Sequence, residues 1–189
     1  MPLDELRSYQ GHNPRPADFD AYWDRALSDL DATPPALELA PHPNPARFAE
    51  CFDLWFTGVG GARVHAQYLR PRSEGPHPAI LRFHGYGDLA RDAYEEVTYY
   101  FTRFDPTHEH EDEVFTKLGY IDVQHLAGRI AARVQMTTGL MDMICPPSTQ
   151  FAAYNKIRSE KEMILYPDFG HDDLPGHHDR LFEFLSAGI

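Results

Sequence analysis

Apolar residues along this chain recur at two different spacings, and the places where one spacing gives way to the other divide it into helices and strands. From Pro16 to Leu30 the apolar positions are Phe19, Tyr22, Trp23, Ala26, Leu27 and Leu30. Those steps of three and four residues predict a helix with one apolar stripe. Pro16 suits its first turn, and Asp18 and Asp20 complement its positive end. A proline-rich crossing runs from Pro34 to Pro45. AECFDLWFTG (49–58), with the aromatics Phe52, Trp55 and Phe56, and ARVHAQYLRP (62–71) then roughly alternate apolar and polar residues. Gly58, Gly60 and Gly61 separate them. This predicts a half-buried antiparallel hairpin.

HPAILRFHGYG (77–87) reads as a third strand that ends in a glycine-rich turn. Helical spacing returns from Asp88 to Phe104, through Leu89, Tyr94, Val97, Tyr100, Phe101 and Phe104, and again from about Glu109 to Leu118. Gly119 is the expected stop of that helix. A short helix over Val123 to Ile130 leads to a strand in ARVQMTTG (132–139). A helix over Pro147 to Lys156, a strand in EMILYP (162–167) and a closing helix over Leu174 to Ala187 follow. An early hairpin followed by alternating strands and helices predicts a mixed α/β fold. We expect one domain over residues 1–189, with residues 88–118 as a helical, cap-like insert.

Composition narrows the function classes. The 189 residues are 42% hydrophobic and 13% aromatic, enough to bury a core, and carry a net charge of -12. That charge argues against nucleic acid and against anionic membrane surfaces as partners, and fits a neutral or cationic small ligand. MPLDELRSYQ has no basic region followed by an apolar run, so no signal peptide is expected, and no stretch approaches the length of a membrane span. Cys51 and Cys145 are isolated and are expected to be reduced and buried, with the cytoplasm as the location.

The candidate chemistry lies in two loops. Asp142 falls in GLMDMICPPSTQFAAYN and His171 in LYPDFGHDDLPG, each just past a short apolar strand. An acid followed by a histidine, each after a strand, is the order of the last two members of the Ser-Asp-His triad in α/β-hydrolases. Imidazole takes and returns a proton near neutral pH, and a buried carboxylate on its other nitrogen fixes the tautomer. The first member is absent. No serine or cysteine lies in a G-x-S-x-G-like turn, and no two glycines are four residues apart.

Six stretches carry a family resemblance: NPRPADFDAYWDRAL, AECFDLWFTGVGGARVHAQYLRP, FHGYG, GYIDVQHLAGRI, GLMDMICPPSTQFAAYNKI and YPDFGHDDLPG. In this order they resemble the acetyl xylan esterase and cephalosporin C deacetylase family (carbohydrate esterase family seven), serine esterases with an α/β-hydrolase fold. The family pattern runs from the start to Gly87 and resumes near Asp88. A central block is absent, with its RGQ-type motif, central strands and GGSQGG nucleophile elbow. Where relatives have Glu after the histidine, this chain has Asp172.

The resemblance implies His171 as general base, Asp142 as its orienting acid and the backbone N–H of Tyr86 as an oxyanion donor. It implies removal of acetyl groups from acetylated saccharides or cephalosporin C, through an acyl-enzyme and without metal or organic cofactor, impaired here by the lost serine. Family members are typically ring-shaped hexamers, so a homo-oligomer is expected. The alternative is a non-catalytic remnant, or a saccharide-binding or interaction module on the same scaffold. A third reading is an internally deleted product with no role of its own. The lost elbow would also leave a shrunken sheet with open edges.

Two other constellations compete for attention. Cys145, three residues from Asp142, and Ser148, at the start of the next helix, are the candidate substitute nucleophiles. The ordinary role of Ser148 is to cap that helix. THEHEDE (107–113) superficially resembles a zinc signature in which His108 and His110 would be joined by His171. Glu113 stands where its last histidine should be, and a charged helix start with Thr107 as N-cap is the favoured reading. His177 and His178 read as exposed polar residues.

Overall fold

The hairpin that the alternating pattern predicts forms, and it gains a third strand. A computed structural model of the chain describes residues 1–44, 46–83 and 95–187, with 95 and 96 as backbone only. It divides into two units, Asp18–Phe83 on one side and Met1–Ala17 with His84–Ile189 on the other.

In the first unit, helix α2 (Phe19–Asp31) precedes strands β1 (Glu38–Pro41), β2 (Ala49–Thr57) and β3 (Arg63–Pro71), which form an antiparallel sheet in that order. Phe52 faces Tyr68 and Trp55 faces His65 across β2 and β3, while Glu38 faces Trp55 across β1 and β2. The tight β2–β3 connection needs left-handed backbone at Gly60 (φ 70°) and Gly61 (φ 78°), which glycine adopts without a Cβ clash. Strand β1 lies inside the stretch expected to be a proline-rich crossing. Its one proline, Pro41, is its last residue on a sheet edge, where a missing N–H removes little. Arg63 fastens the edge by pairing with Glu38 at 2.9 Å and donating to the Ala36 carbonyl at 3.0 Å.

The expected third strand does not form in its described part. Residues 77–83 are irregular, with Ile80 70% and Phe83 77% exposed. A continuous apolar run suits a central parallel strand, hydrogen-bonded on both edges and covered on both faces. Among the described residues nothing pairs with it.

The second unit holds helix α1 (Leu3–Leu6), α3 (Glu95–Phe104), α4 (Glu111–Ile121), α5 (Pro147–Tyr154) and α6 (His177–Ser186), with strands β4 (Val134–Gly139) and β5 (Lys161–Tyr166). Strands β4 and β5 pair in parallel, Val134 opposite Lys161 and Gly139 opposite Tyr166, with α5 as the crossover between them. Short 3₁₀ turns at Val123–His125 and Ala127–Arg129 replace the expected short helix. Val97, Phe101 and Phe115 form the core between α3 and α4, flanked by Val114 and Leu118. The part of the expected helix before Glu95 lies outside the described residues.

Two expectations at α4 are corrected. Gly119 lies inside the helix and does not end it. A Cβ there would sit 2.6 Å from the Pro14 carbonyl oxygen and 2.9 Å from Pro16 Cδ, so glycine is needed for close approach. The N-cap position falls on His110, without a side-chain cap bond, and not on Thr107; the Asp105 carboxylate instead fixes the turn before the helix by accepting the N–H groups of Glu109 (3.0 Å) and His110 (2.8 Å). The N-terminal segment is tied down by Asn155, which donates to the carbonyls of Leu6 (2.9 Å) and Tyr9 (2.8 Å). No helix among the described residues is long and apolar enough to cross a membrane.

Candidate active site

Asp142 and His171 meet because the loops after two paired parallel strands are stitched together. Past the end of β4, the Leu140 N–H donates to the Tyr166 carbonyl at 3.0 Å, and the Met141 N–H donates to that of Phe169 at 2.9 Å. These bonds draw the loop carrying His171 across the end of β4. The approach requires Gly139, where a Cβ would lie 2.5 Å from the Gly170 carbonyl oxygen and 2.6 Å from that of Phe169. Asp172 folds back so that its Oδ2 accepts the Gly170 N–H at 3.1 Å, shaping the turn that presents His171.

Asp142 is 6% exposed. Its Oδ1 accepts the N–H groups of Ile144 and Cys145, both at 2.8 Å, and its Oδ2 lies 3.0 Å from Nδ1 of His171. Burial alone would raise this carboxyl. The hydrogen bonds from the Cys145 N–H, the His171 ring and the Ile144 N–H outweigh it and hold the group below the usual carboxylate range. An ionised Asp142 accepts and does not donate, so the proton between the two residues belongs to Nδ1, and Nε2 carries the lone pair. The His171 side chain is 52% exposed, so that lone pair is within reach of solvent. An imidazole held in this way can take a proton from a hydroxyl or a water.

The support continues into α5. Gln150 Nε2 donates to the Cys145 carbonyl at 2.7 Å, and its Oε1 accepts from the hydroxyl of Thr138, a residue 1% exposed, at 2.8 Å. One side chain thus links the interior of β4 to the far end of the Asp142 loop. Thr138, Gly139, Gln150 and Asp172 were not anticipated as site residues. The sequence signal available was the glycine ending a strand just before Asp142.

The other sequence candidates fall as follows. Tyr86 lies outside the described residues. Cys145 and Cys51 are each half-buried, and neither is in a disulfide. Ser148 is half-buried in the first turn of α5 but does not cap it. Pro146 holds the N-cap position with Pro147 behind it, and no side-chain cap bond forms. The Glu111 carboxylate accepts from Nδ1 of His108 at 2.9 Å, the His108 ring stacks on Phe101 with ring centroids 4.6 Å apart, and His110 lies 3.8 Å from Glu113. Both belong to the start of α4 and not to His171. Among the described residues, Asp142, Cys145 and His171 each bring one potential metal-ligating atom within 4.8 Å of the other two.

Comparison with known proteins gives the chain a lineage. The chain matches the acetyl xylan esterase (AXE1) family over residues 1–92 and 87–187, two stretches that meet where the sequence pattern breaks off and resumes. It is 32% identical over 91 residues to an acetyl esterase, Axe7A, of Xylanibacter ruminicola. That match takes in 48% of this chain and 19% of the relative, so the chain spans about a fifth of that protein's length. It is similar in structure to acetyl xylan esterase 1 from Thermoanaerobacterium sp. JW/SL YS485, with a TM-score of 0.90, 34% identity and 98% of each chain covered. An acetyl xylan esterase from Paenibacillus sp. R4 shares the fold at a TM-score of 0.81 and 21% identity over 99% of each chain. The architecture is thus of the α/β-hydrolase type, and the chain belongs to the acetyl xylan esterase family.

Proposed function

We propose that this chain retains the proton-transfer half of an acetyl-ester hydrolase, with reduced activity because its sequence holds no nucleophile elbow. The observation that carries the reading is the 3.0 Å contact between a buried, ionised Asp142 and a half-exposed His171. In the proposed reaction His171 Nε2 takes a proton from the attacking hydroxyl or water, and Asp142 stabilises the imidazolium that results. The Tyr86 N–H donates to the oxygen on which charge develops. Acetate and an alcohol are the products, and neither metal nor organic cofactor takes part. The substrates are small acetylated molecules, saccharides first, with cephalosporin C as the further candidate. The protein acts in the cytoplasm, independently of nucleic acid and membranes, and self-associates. Turnover of p-nitrophenyl acetate should fall by at least roughly 10²-fold in His171→Ala, the lower end of what a general base supplies. Turnover equal to that of the variant would refute the reading.

The absence of any G-x-S-x-G-like turn favours a second reading, a non-catalytic module that binds saccharide on the same scaffold. Binding of an acetylated xylo-oligosaccharide without turnover would select it.

A further inference from the structure

We propose that Asp142, Cys145 and His171 form a binding site for a divalent cation of borderline softness, Zn2+ above all. One donor atom from each residue lies within 4.8 Å of the other two, and Asp142 Oδ2 and His171 Nδ1 are already 3.0 Å apart. A tetrahedral zinc, with bonds of about 2.0–2.1 Å to nitrogen and oxygen and about 2.3 Å to sulfur, spaces its ligands roughly 3.3–3.6 Å apart. The carboxylate and imidazole therefore need to separate slightly, and the Cys145 sulfur needs to draw in towards them. The three residues sit on two loops stitched by the Met141–Phe169 bond, and Asp142 is further held by the N–H groups of Ile144 and Cys145. The outer support that orients metal ligands is thus in place.

The donor set selects the ion. Thiolate and imidazole favour zinc, cobalt and copper, whereas magnesium and calcium require oxygen cages. Binding through Nδ1 moves that proton to Nε2, and the Cys145 thiol loses its proton to solvent, so one proton is released per ion bound. Three protein ligands leave the fourth position to water. The ion and the Asp142–His171 hydrogen bond compete for the same atoms, so the occupied site has no free Asp142-backed imidazole. The site depends on the geometry of the two loops and not on ester turnover, so an inactive protein leaves it intact.

The test is a Co2+ titration of the full, reduced chain. One equivalent should bind with a thiolate-to-cobalt charge-transfer band in the near ultraviolet and the intense visible bands of four-coordinate cobalt, and Zn2+ should displace it. Removing an outer-shell partner already costs about 10–100-fold in affinity, so Cys145→Ser and His171→Gln should each weaken binding at least about tenfold. Cys145→Ser should also abolish the charge-transfer band. Replacing His177 and His178 with Gln should leave both unchanged. Should Cys145→Ser fold poorly, iodoacetamide labelling of the unmutated chain replaces it. Zn2+ should then slow alkylation of Cys145 and leave that of Cys51 unchanged. No binding, binding without the thiolate band, or equal alkylation of Cys145 with and without Zn2+ overturns the proposal.

Discussion

Replacing Gly139 with alanine tests the claim that one missing side chain lets the two site loops meet. The new Cβ would lie 2.5 Å from the Gly170 carbonyl oxygen and 2.6 Å from that of Phe169. Both neighbours are backbone, so no flexible tip can swing away. Restoring contact at 3.4 Å moves the loop by about 0.9 Å. Overpacking of this kind costs about 1–3 kcal/mol, and loss of the Met141–Phe169 backbone bond adds about 1 kcal/mol. For a chain of this size the sum lowers Tm by roughly 4–16 °C in a thermal melt followed by circular dichroism. The same shift pulls His171 from Asp142, so the far-downfield Nδ1 proton of the native imidazole should weaken or move in the proton NMR spectrum. Gly176→Ala is the control. It meets a strained left-handed backbone (φ 70°) but no neighbour within 4 Å, so it should cost stability without disturbing that proton. A Gly139→Ala protein with the parent Tm and an unmoved Nδ1 resonance would refute the account of how the site is assembled.

Two further outcomes follow from the hydrogen bonds. The folded Asp142 carboxyl titrates below its ordinary value of 3.8, so the stability it contributes is full above that value and is lost as pH falls through the lower, folded one. Urea melts of Asp142→Asn across pH 2–7 should therefore lack part of the parent's loss of stability on the acid side, and an identical acid limb would contradict the assignment. Asn155→Ala removes the bonds to the Leu6 and Tyr9 carbonyls, at a cost of about 1–3 kcal/mol, and should make residues 1–12 the first site of limited proteolysis. An unchanged cleavage pattern would show that the segment is held by something else.

Where the chain's own neighbours complete an element, the pattern of apolar residues was sufficient to read it. The β2–β3 hairpin has its partner five residues away, and β4, α5 and β5 form one crossover unit within 33 residues of sequence, so both were legible. Residues 77–83 carry as strong a strand pattern as any, but apolar spacing reports only a willingness to be buried. It does not report whether partner strands exist. The opposite error occurred at β1, where prolines signalled a crossing although Leu39 and Ala40 pair fully with β2. Gly119 misled because a glycine past a helical run usually ends it, and only the fold brings Pro14 and Pro16 against that position.

The Asp142–His171 contact is held by short-range structure. Asp142 and His171 stand on loops that follow β4 and β5, and the groups that fix them come from Thr138, Gly139, Cys145, Gln150, Phe169 and Asp172. All of these lie within one stretch of some three dozen residues, so their geometry depends on a single strand–helix–strand unit and its short-range bonds. A nucleophile elbow would sit on a strained turn after a central strand, which needs neighbours on both edges to hold it in place. The irregular 77–83 segment shows what happens to an apolar run that lacks them. The support of His171 is thus local to residues 138–172, whereas that of an elbow would come from central strands that the described residues do not form. An efficient serine nucleophile would require two strand-paired edges as well as a hydroxyl. A serine placed in an exposed loop of this chain should not act as the nucleophile, however close to His171 it could be drawn.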